Sequence, residues 1–429
     1  MSPTFASLSI YNYRVYAAGA IVSNIGTWMG RVAQDWLVLT ELTNHDSTAL
    51  GIVTGLQFAP VVLLAPLAGT FADRFDKRKL LAISQSALAL TAAVLAVLVL
   101  TDTAQLWHVY VLALLQGVAT ALDNPTRQAF VSEMVPPDKL TNAVGLNSAS
   151  FNGARLIGPA VAGLLIASVG TGPTLVINAF SFVAVLFALS AMHGSELSRP
   201  PRGKGRGGVR EGLAYVRGRS DIKLLLFVVF MLGTFGMNFQ ITIALMSTTV
   251  FHRGASEYGL LGSVMAIGSL SAALLSARRA RPRLRVLFGA LIGFTIFSAA
   301  AALAPTFWFF GLMLIPTGLF ALTVMTTANS AVQLSVSPQM RGRVMALYMA
   351  IFMGGTPLGA PMIGWIGDVF GARWTILVGS LAVGFAAAAA ILYVMRTDRL
   401  TVTLERHPWH LEVVSAGQAA QAITPEQVR

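Results

Sequence analysis

The chain has 429 residues, of which 55% are hydrophobic and only 11% charged, with mean hydropathy +0.69. Soluble domains carry about 25% charged residues, so a set of two or three soluble domains is excluded and one polytopic membrane protein is expected. The net charge of +12 would suit a nucleic-acid partner, which the distribution of the charges described below excludes; with no Cys there is no disulfide, thiol chemistry or Cys-ligated metal.

A membrane-spanning helix needs about 20 mostly apolar residues. Twelve segments meet this, near 14–42, 49–72, 80–101, 106–126, 142–168, 173–192, 223–247, 258–277, 285–304, 306–333, 343–367 and 374–395. The opening MSPTFASLSIYNYR lacks the basic start and short apolar core of a signal peptide, and the first run is long enough to stay in the membrane. It is also overlong, so it tilts or protrudes.

The turn between the second and third helices, GTFADRFDKRKLL (69–81), packs charge densely between two apolar runs. Basic residues stay on the cytoplasmic side of a membrane. With the N-terminus inside, 26 of the 30 Lys and Arg fall on inner segments, and only Arg31, Arg155, Arg253 and Arg373 fall elsewhere. Both termini are therefore expected in the cytoplasm. The positives anchor successive loops rather than forming a basic domain that could dock a duplex.

The longest polar break, 195–221, separates six helices from six. Its GKGRGG lacks the Lys-Ser/Thr ending of a phosphate loop, so it reads as a flexible basic linker. The stretch from Val209 to Arg219 fits a short amphipathic surface helix. The expected organisation is an N-terminal half over 1–194, a linker over 195–222, a C-terminal half over 223–395 and a cytoplasmic tail over 396–429. The halves echo each other. Gly158, Gly163 and Gly170 align with Gly359, Gly364 and Gly371, each set in the fifth helix of its half.

Gly69, Asp73, Arg74, Lys77, Arg78 and Leu81 resemble the loop motif GxLaDrxGrkxxL of the major facilitator superfamily. Asp76 replaces the motif's inner Gly, in a place that suits a left-handed residue, a conformation Asp tolerates. ARLIGPAVAGL (154–164) resembles that superfamily's antiporter motif through Gly158, Pro159 and Gly163. Small residues there permit close helix approach and Pro bends the helix. With GTWMGRVAQDWLVLTEL (26–42), DNPTRQAFVSEMVPPDKLTNAVGLNS (123–148) and MRGRVMALY (340–348), the chain is similar to the branch of drug:proton antiporters holding enterobactin exporters and macrolide or multidrug efflux proteins. The likeness covers roughly residues 10 to 395. One departure stands out: the pattern RxxqG would place an Arg at 113, where Ala113 precedes Gln116 and Gly117.

The resemblance implies an all-α fold of two pseudo-symmetric six-helix halves. It also implies proton-coupled export of a hydrophobic or amphipathic small molecule, drug or siderophore-like, by alternating access in the bacterial cytoplasmic membrane. A uniporter or uptake symporter of the same fold is the alternative. A membrane-embedded enzyme or sensor would need a catalytic cluster or soluble domain, and no nucleophile elbow, Walker loop or zinc helix is present. The expected partners are a small-molecule substrate, protons and lipid, for a monomer with no cofactor beyond the proton gradient. The tail's His407 and His410 make a lone H-x-x-H that reads as solvated.

Ionisable groups inside spans are costly and face a cavity or a partner. Asp35 reads as the only carboxylate well inside a span and as the candidate proton carrier. Its competing role is a static salt bridge to Arg31, one turn away, or to Arg155. Arg155 is the candidate replacement for the missing Arg of the fourth helix. Asp123, Arg127 and Asp368 read as lying near helix ends. Asn24, Trp28, Gln57, Asn147, Phe151, Asn178, Asn238, Gln240 and Asn329 are the candidates to line a substrate cavity.

Overall fold

In the computed structural model the described residues are 3–198, 209–278, 283–398, 401–406 and 409–414. Local chemistry sets the helix ends. Asp46 accepts from the amide of Ala49 (2.8 Å) to start α2 (Ser47–Arg74), after α1 (Tyr11–Trp36). Asp76 does the same through Lys79 (3.2 Å) for α3 (Lys77–Leu100). This corrects the left-handed expectation: Asp76 has φ −65°, ψ 114°, the extended backbone of an N-cap, for which Asp is favoured. After α4 (Leu106–Met134), a Pro opens α5 (Pro137–Val169), where its missing amide costs nothing. Gly170 (φ +88°) ends α5 and leads into α6 (Thr171–Ala191). Only glycine takes this backbone freely.

The second half follows α7 (Val209–Arg217). Its first span is broken: α8 (Ser220–Met231) widens into a π-type turn over Leu232–Gly236 before α9 (Phe239–Leu245). Then come α10 (Ala255–Ala277), α11 (Leu284–Ala302), α12 (Phe307–Ser335), α13 (Pro338–Phe370, again ended by a positive-φ glycine, Gly371) and α14 (Ala372–Asp398). An antiparallel hairpin of β1 (Thr401–Arg406) and β2 (Trp409–Val414) follows, pairing Glu405 with His410; His407 lies outside the described residues.

Eleven spans among the described residues are long and apolar enough to cross a membrane, with Ser220–Val250 counting as one. The more polar α1 packs inside the bundle against α5 and α6, which is consistent with the expected twelve. Three helix ends differ from expectation. The fourth helix continues through Pro125 to Met134, and the fifth and eleventh begin at Pro137 and Pro338. At 1.5 Å per residue the 33 residues of α5 extend about 50 Å, past a hydrocarbon core of about 30 Å.

The turns after α2 and α4, the start of α8 and the turn between α12 and α13 all lie at one end, here the basic end. Lys77–Glu133 (2.7 Å) ties α3 to α4 there, and the Arg219 guanidinium reaches the carbonyl of Ser335 (3.1 Å). α7, the short amphipathic surface helix expected over this stretch, rests against the bundle. Val216 is buried, Glu211 pairs with Arg343 of α13 (2.5 Å), and Gly212 lies where a Cβ would press on Arg343 (3.2 Å).

The halves meet along two seams, α2 with α13 and α5 with α10. Gly51 packs on Ala360 and Gly55 on Pro357; Gly163 packs on Ala255 and Ser256, and Gly259 on Pro159. These contacts gather at the end opposite the basic one. Nearer the basic end, Gly145 and Gly153 of α5 have no atom within 4 Å of where a Cβ would stand. The bundle is sealed at one end and splayed at the other.

Candidate functional site

α1 forms the spine of the site. Asp35, in its last turn, is 4% exposed and accepts a hydrogen bond from the Tyr258 hydroxyl of α10 (3.1 Å), across the seam between the halves. Neither Arg31 nor Arg155 comes within ion-pair distance of Asp35, so the static salt bridge weighed from sequence is not formed. Both arginines instead lie by Trp28: their guanidinium carbons are 5.1 and 5.5 Å from its ring centroid, and Arg31 is also 5.6 Å from that of Phe58. Trp36 stacks on Tyr258 at 6.5 Å, and Phe151 meets Trp28 edge-on at 5.8 Å.

Two small cavities flank this cluster. One, of about 90 Å³, is lined by Arg31, Gln34, Gln57, Gln116 and Asn178, and reaches Met353 of the other half. The second, of about 80 Å³, is lined by Trp28 and Arg155 on one side and by Gln240, Tyr258 and Met265 on the other. Each has room for a few waters or one small polar group and is too small for a bulky solute.

The structure brings together Trp28, Gln57, Asn178, Phe151, Gln240 and both arginines. Asn24 joins through its amide to Ser150 (3.4 Å), and Gln57 bonds Gln116 (3.4 Å). Asn147 lies on α5, two turns toward the basic end from Arg155. Two candidates serve elsewhere. Asn238 donates to the carbonyl of Thr234 (2.7 Å), patching the break before α9, and Asn329 accepts from Gln333 of its own helix (2.6 Å).

The glycines of α5 face two ways. A Cβ on Gly158 would strike Trp28 and the carbonyl of Ile25 in α1, whereas Pro159 and Gly163 face α10. The same arrangement recurs in the other half: Gly359 lies against Thr234 of the seventh span and Gly364 against Ser47 and Thr48 of α2. Of the aligned glycines, Gly163 and Gly364 thus lie in the seams between the halves and Gly158 and Gly359 against the first span of their own half, each permitting backbone approach that side chains would forbid.

In the charged turn, Lys77 pairs with Glu133 and Arg78 donates to the carbonyl of Ser190 (3.2 Å), while Arg74 lies exposed in the last turn of α2. The surroundings of Gly69 and the side chain of Asp73 lie outside what is described.

Three features were not found from sequence. Tyr258 gave no signal, being one aromatic among many. Asp123 and Arg127 sit within α4 rather than near a helix end, 3.1 Å apart, with Ser84 (2.9 Å) and Gln85 (2.7 Å) donating to Asp123; Asp35 is therefore not the only carboxylate inside a span. Asp368 of α13 caps the N-terminus of α2. It takes the amides of Ser47 and Thr48 (each 2.8 Å) and their hydroxyls (2.6 and 2.5 Å).

The family model described as transmembrane secretion effector matches residues 2–421, reaching into the tail. The chain is similar to the staphyloferrin A transporter of Staphylococcus aureus (strain NCTC 8325 / PS 47), at 28% identity over 81% of this chain and 87% of that one. It is also similar to the multidrug efflux pump Tap of Mycolicibacterium fortuitum (25%; 87% and 93%) and macrolide efflux protein A of Streptococcus pyogenes (22%; 83% and 90%). Among solved structures, a bacterial homolog of the human lysosomal transporter Spinster superposes with a TM-score of 0.73 at 16% identity, over 91% of this chain and 97% of that one. A D-xylose-proton symporter gives 0.67 at 12% identity, over 89% and 96%. These two show the fold alone.

Proposed function

We propose, from the premise that this chain belongs to the transmembrane secretion effector family of major facilitator transporters, that it is a proton-coupled antiporter exporting hydrophobic or amphipathic small molecules. The observation that carries the reading is the Asp35–Tyr258 hydrogen bond. It joins a buried carboxylate on one half to a donor on the other, so rocking the halves apart makes or breaks it. The Tyr258 hydroxyl is thus a contact of Asp35 that changes when the halves move, which ties the carboxylate to the access state.

The positive-inside pattern supports placing the basic end in the cytoplasm of a bacterial inner membrane, which makes this arrangement inward-open. Residues 1–194 and 223–395 are then the two rocking bodies. The Gly158–Pro159 stretch of α5, wedged between α1 and α10, limits leakage, and Asp73 with Arg74, Lys77 and Arg78 closes the cytoplasmic side in the alternate state. Single cysteines can be introduced into this cysteine-free chain. Ser195→Cys and Ser415→Cys are expected to react with an impermeant maleimide only after permeabilisation, and Thr103→Cys in intact cells. Labelling of Ser415→Cys in intact cells would overturn the orientation.

The function itself is tested in vesicles with an imposed proton gradient, following several labelled compounds with and without an uncoupler. Uphill movement that collapses with the uncoupler is expected. Movement only down the compound's own gradient would make the protein a uniporter.

A further inference from the structure

Arg31 and Arg155 stand out once Asp35 is seen to be bonded elsewhere. Two guanidiniums lie by one indole in the membrane interior, and among the described residues no carboxylate pairs with either. A charge in such a place is tolerated when it has a partner of opposite sign. The neighbourhood is rich in unused donors: the Trp28 indole N–H and the Gln34 amide N–H₂ are buried without a partner, and Gln34 lines the Arg31 cavity. The one unpaired acceptor there, among the described residues, is the amide oxygen of Asn178, on a group that offers a ligand either of its ends. With Asp35 ionised, the cluster carries two positive charges and one negative, and a single negative charge completes it.

We infer that the exported substrate is an anionic amphipath, whose carboxylate is held between Arg31 and Arg155 while its apolar body lies in the splayed end. The inference rests on the export reading and names its substrate class. Arg31 lines one of the flanking cavities and Arg155 the other, each cavity has room for a carboxylate and its first few atoms, and the planar guanidinium fork matches a carboxylate's two oxygens. The flanking Trp28 and Phe151 rings offer apolar faces to the adjoining carbon chain. A cationic amphiphile would add a third positive charge and is excluded. Release on the far side comes from parting α1 and α10, which opens the second cavity along its Tyr258 wall.

The test uses the whole protein in nanodiscs of zwitterionic lipid. Radiolabelled phenylpropanoate, phenylhexanoate and phenyldecanoate are each compared with the corresponding methyl ester and primary amine. At least one acid is expected to bind about tenfold or more tightly than its ester, with the amine weaker still, as loss of a charge-assisted hydrogen bond implies. Arg31→Gln and Arg155→Gln should each erase that preference, and Arg31→Lys should keep part of it, which guards against a folding defect. Esters or amines binding as well as the acids, no acid binding at all, or an undiminished preference in both Gln variants would overturn the inference. Proton-driven export of a neutral solute left intact by Arg31→Gln would overturn it while sparing the antiport reading. Carboxylate binding without proton-driven movement would do the reverse.

Discussion

Asp35→Asn is expected to bind substrate as the native protein does and to lose uphill export, while exchange of substrate down its own gradient survives. The substitution keeps the side chain's shape and can still accept from Tyr258, so packing at the seam changes little. What it removes is the exchangeable proton. The drive at stake is about 2.3 kcal/mol per charge for each 100 mV of membrane potential, enough for more than tenfold concentration of a neutral solute per proton. Vesicles with an imposed gradient measure this directly, through substrate accumulation and proton movement together. An Asn variant that still pumps uphill and still moves protons with substrate would reduce Asp35 to a structural partner of Tyr258 and send the search to Asp123. That carboxylate is already satisfied by Arg127, Ser84 and Gln85, and giving up its charge would strand a buried guanidinium, a costly step. Among the described residues no guanidinium lies within ion-pair distance of Asp35.

The overall plan was legible because the strongest constraints on a membrane fold act locally along the chain. Apolar length defines spans, and the charge of each short loop sets their direction, so residues 69–81 alone announced a turn and its side. The glycine repeat was legible for a similar reason: close backbone approach permits few residue types, and Gly158, Gly163, Gly359 and Gly364 all stand where a Cβ would strike a neighbouring helix. The helix ends near 126 and 142 were misread because hydropathy reports the bilayer rather than the helix. Past the apolar zone α4 continues on backbone hydrogen bonds and a pair from Glu133 to Lys77, and Pro125 does not stop it. Cross-half bonds were not legible at all. Tyr258 lies 223 residues from Asp35 and Asp368 321 from Ser47, and nothing local in the sequence marks either donor. The cluster around Trp28 was half legible: Trp28, Arg31, Phe151 and Arg155 were each singled out within a span, but Gln34 was not, and their arrangement about one indole, with Asp35 turned to another partner, needed three dimensions.

Asp368→Ala is expected to shift the protein toward the state open at the end sealed here. The carboxylate joins α13 to the first turn of α2 through two backbone amides and two hydroxyls, at a helix N-terminus whose unpaired amides favour an anion. The site lies at the exposed rim, so solvent takes up part of the loss. Hydrogen bonds to a charged group contribute about 1.5–3 kcal/mol each when well shielded; discounted for exposure, the whole set favours the sealed state by about 2 kcal/mol. That corresponds to a roughly thirtyfold change in the ratio of the two states. Asp368→Asn, which still accepts but carries no charge, should fall between. Spin labels at residue 103 and at residue 303, in the turns following α3 and α11 at that end, report the separation in nanodiscs by pulsed electron resonance. The native protein should show a short distance, and the Ala variant a second, longer population at the same pH. Uphill transport should slow as well, because a carrier that opens too readily on that side spends less time receiving substrate at the basic end. An unchanged distance distribution with unchanged turnover would mean that the α2–α13 glycine seam alone holds this end shut and that Asp368 only caps a helix.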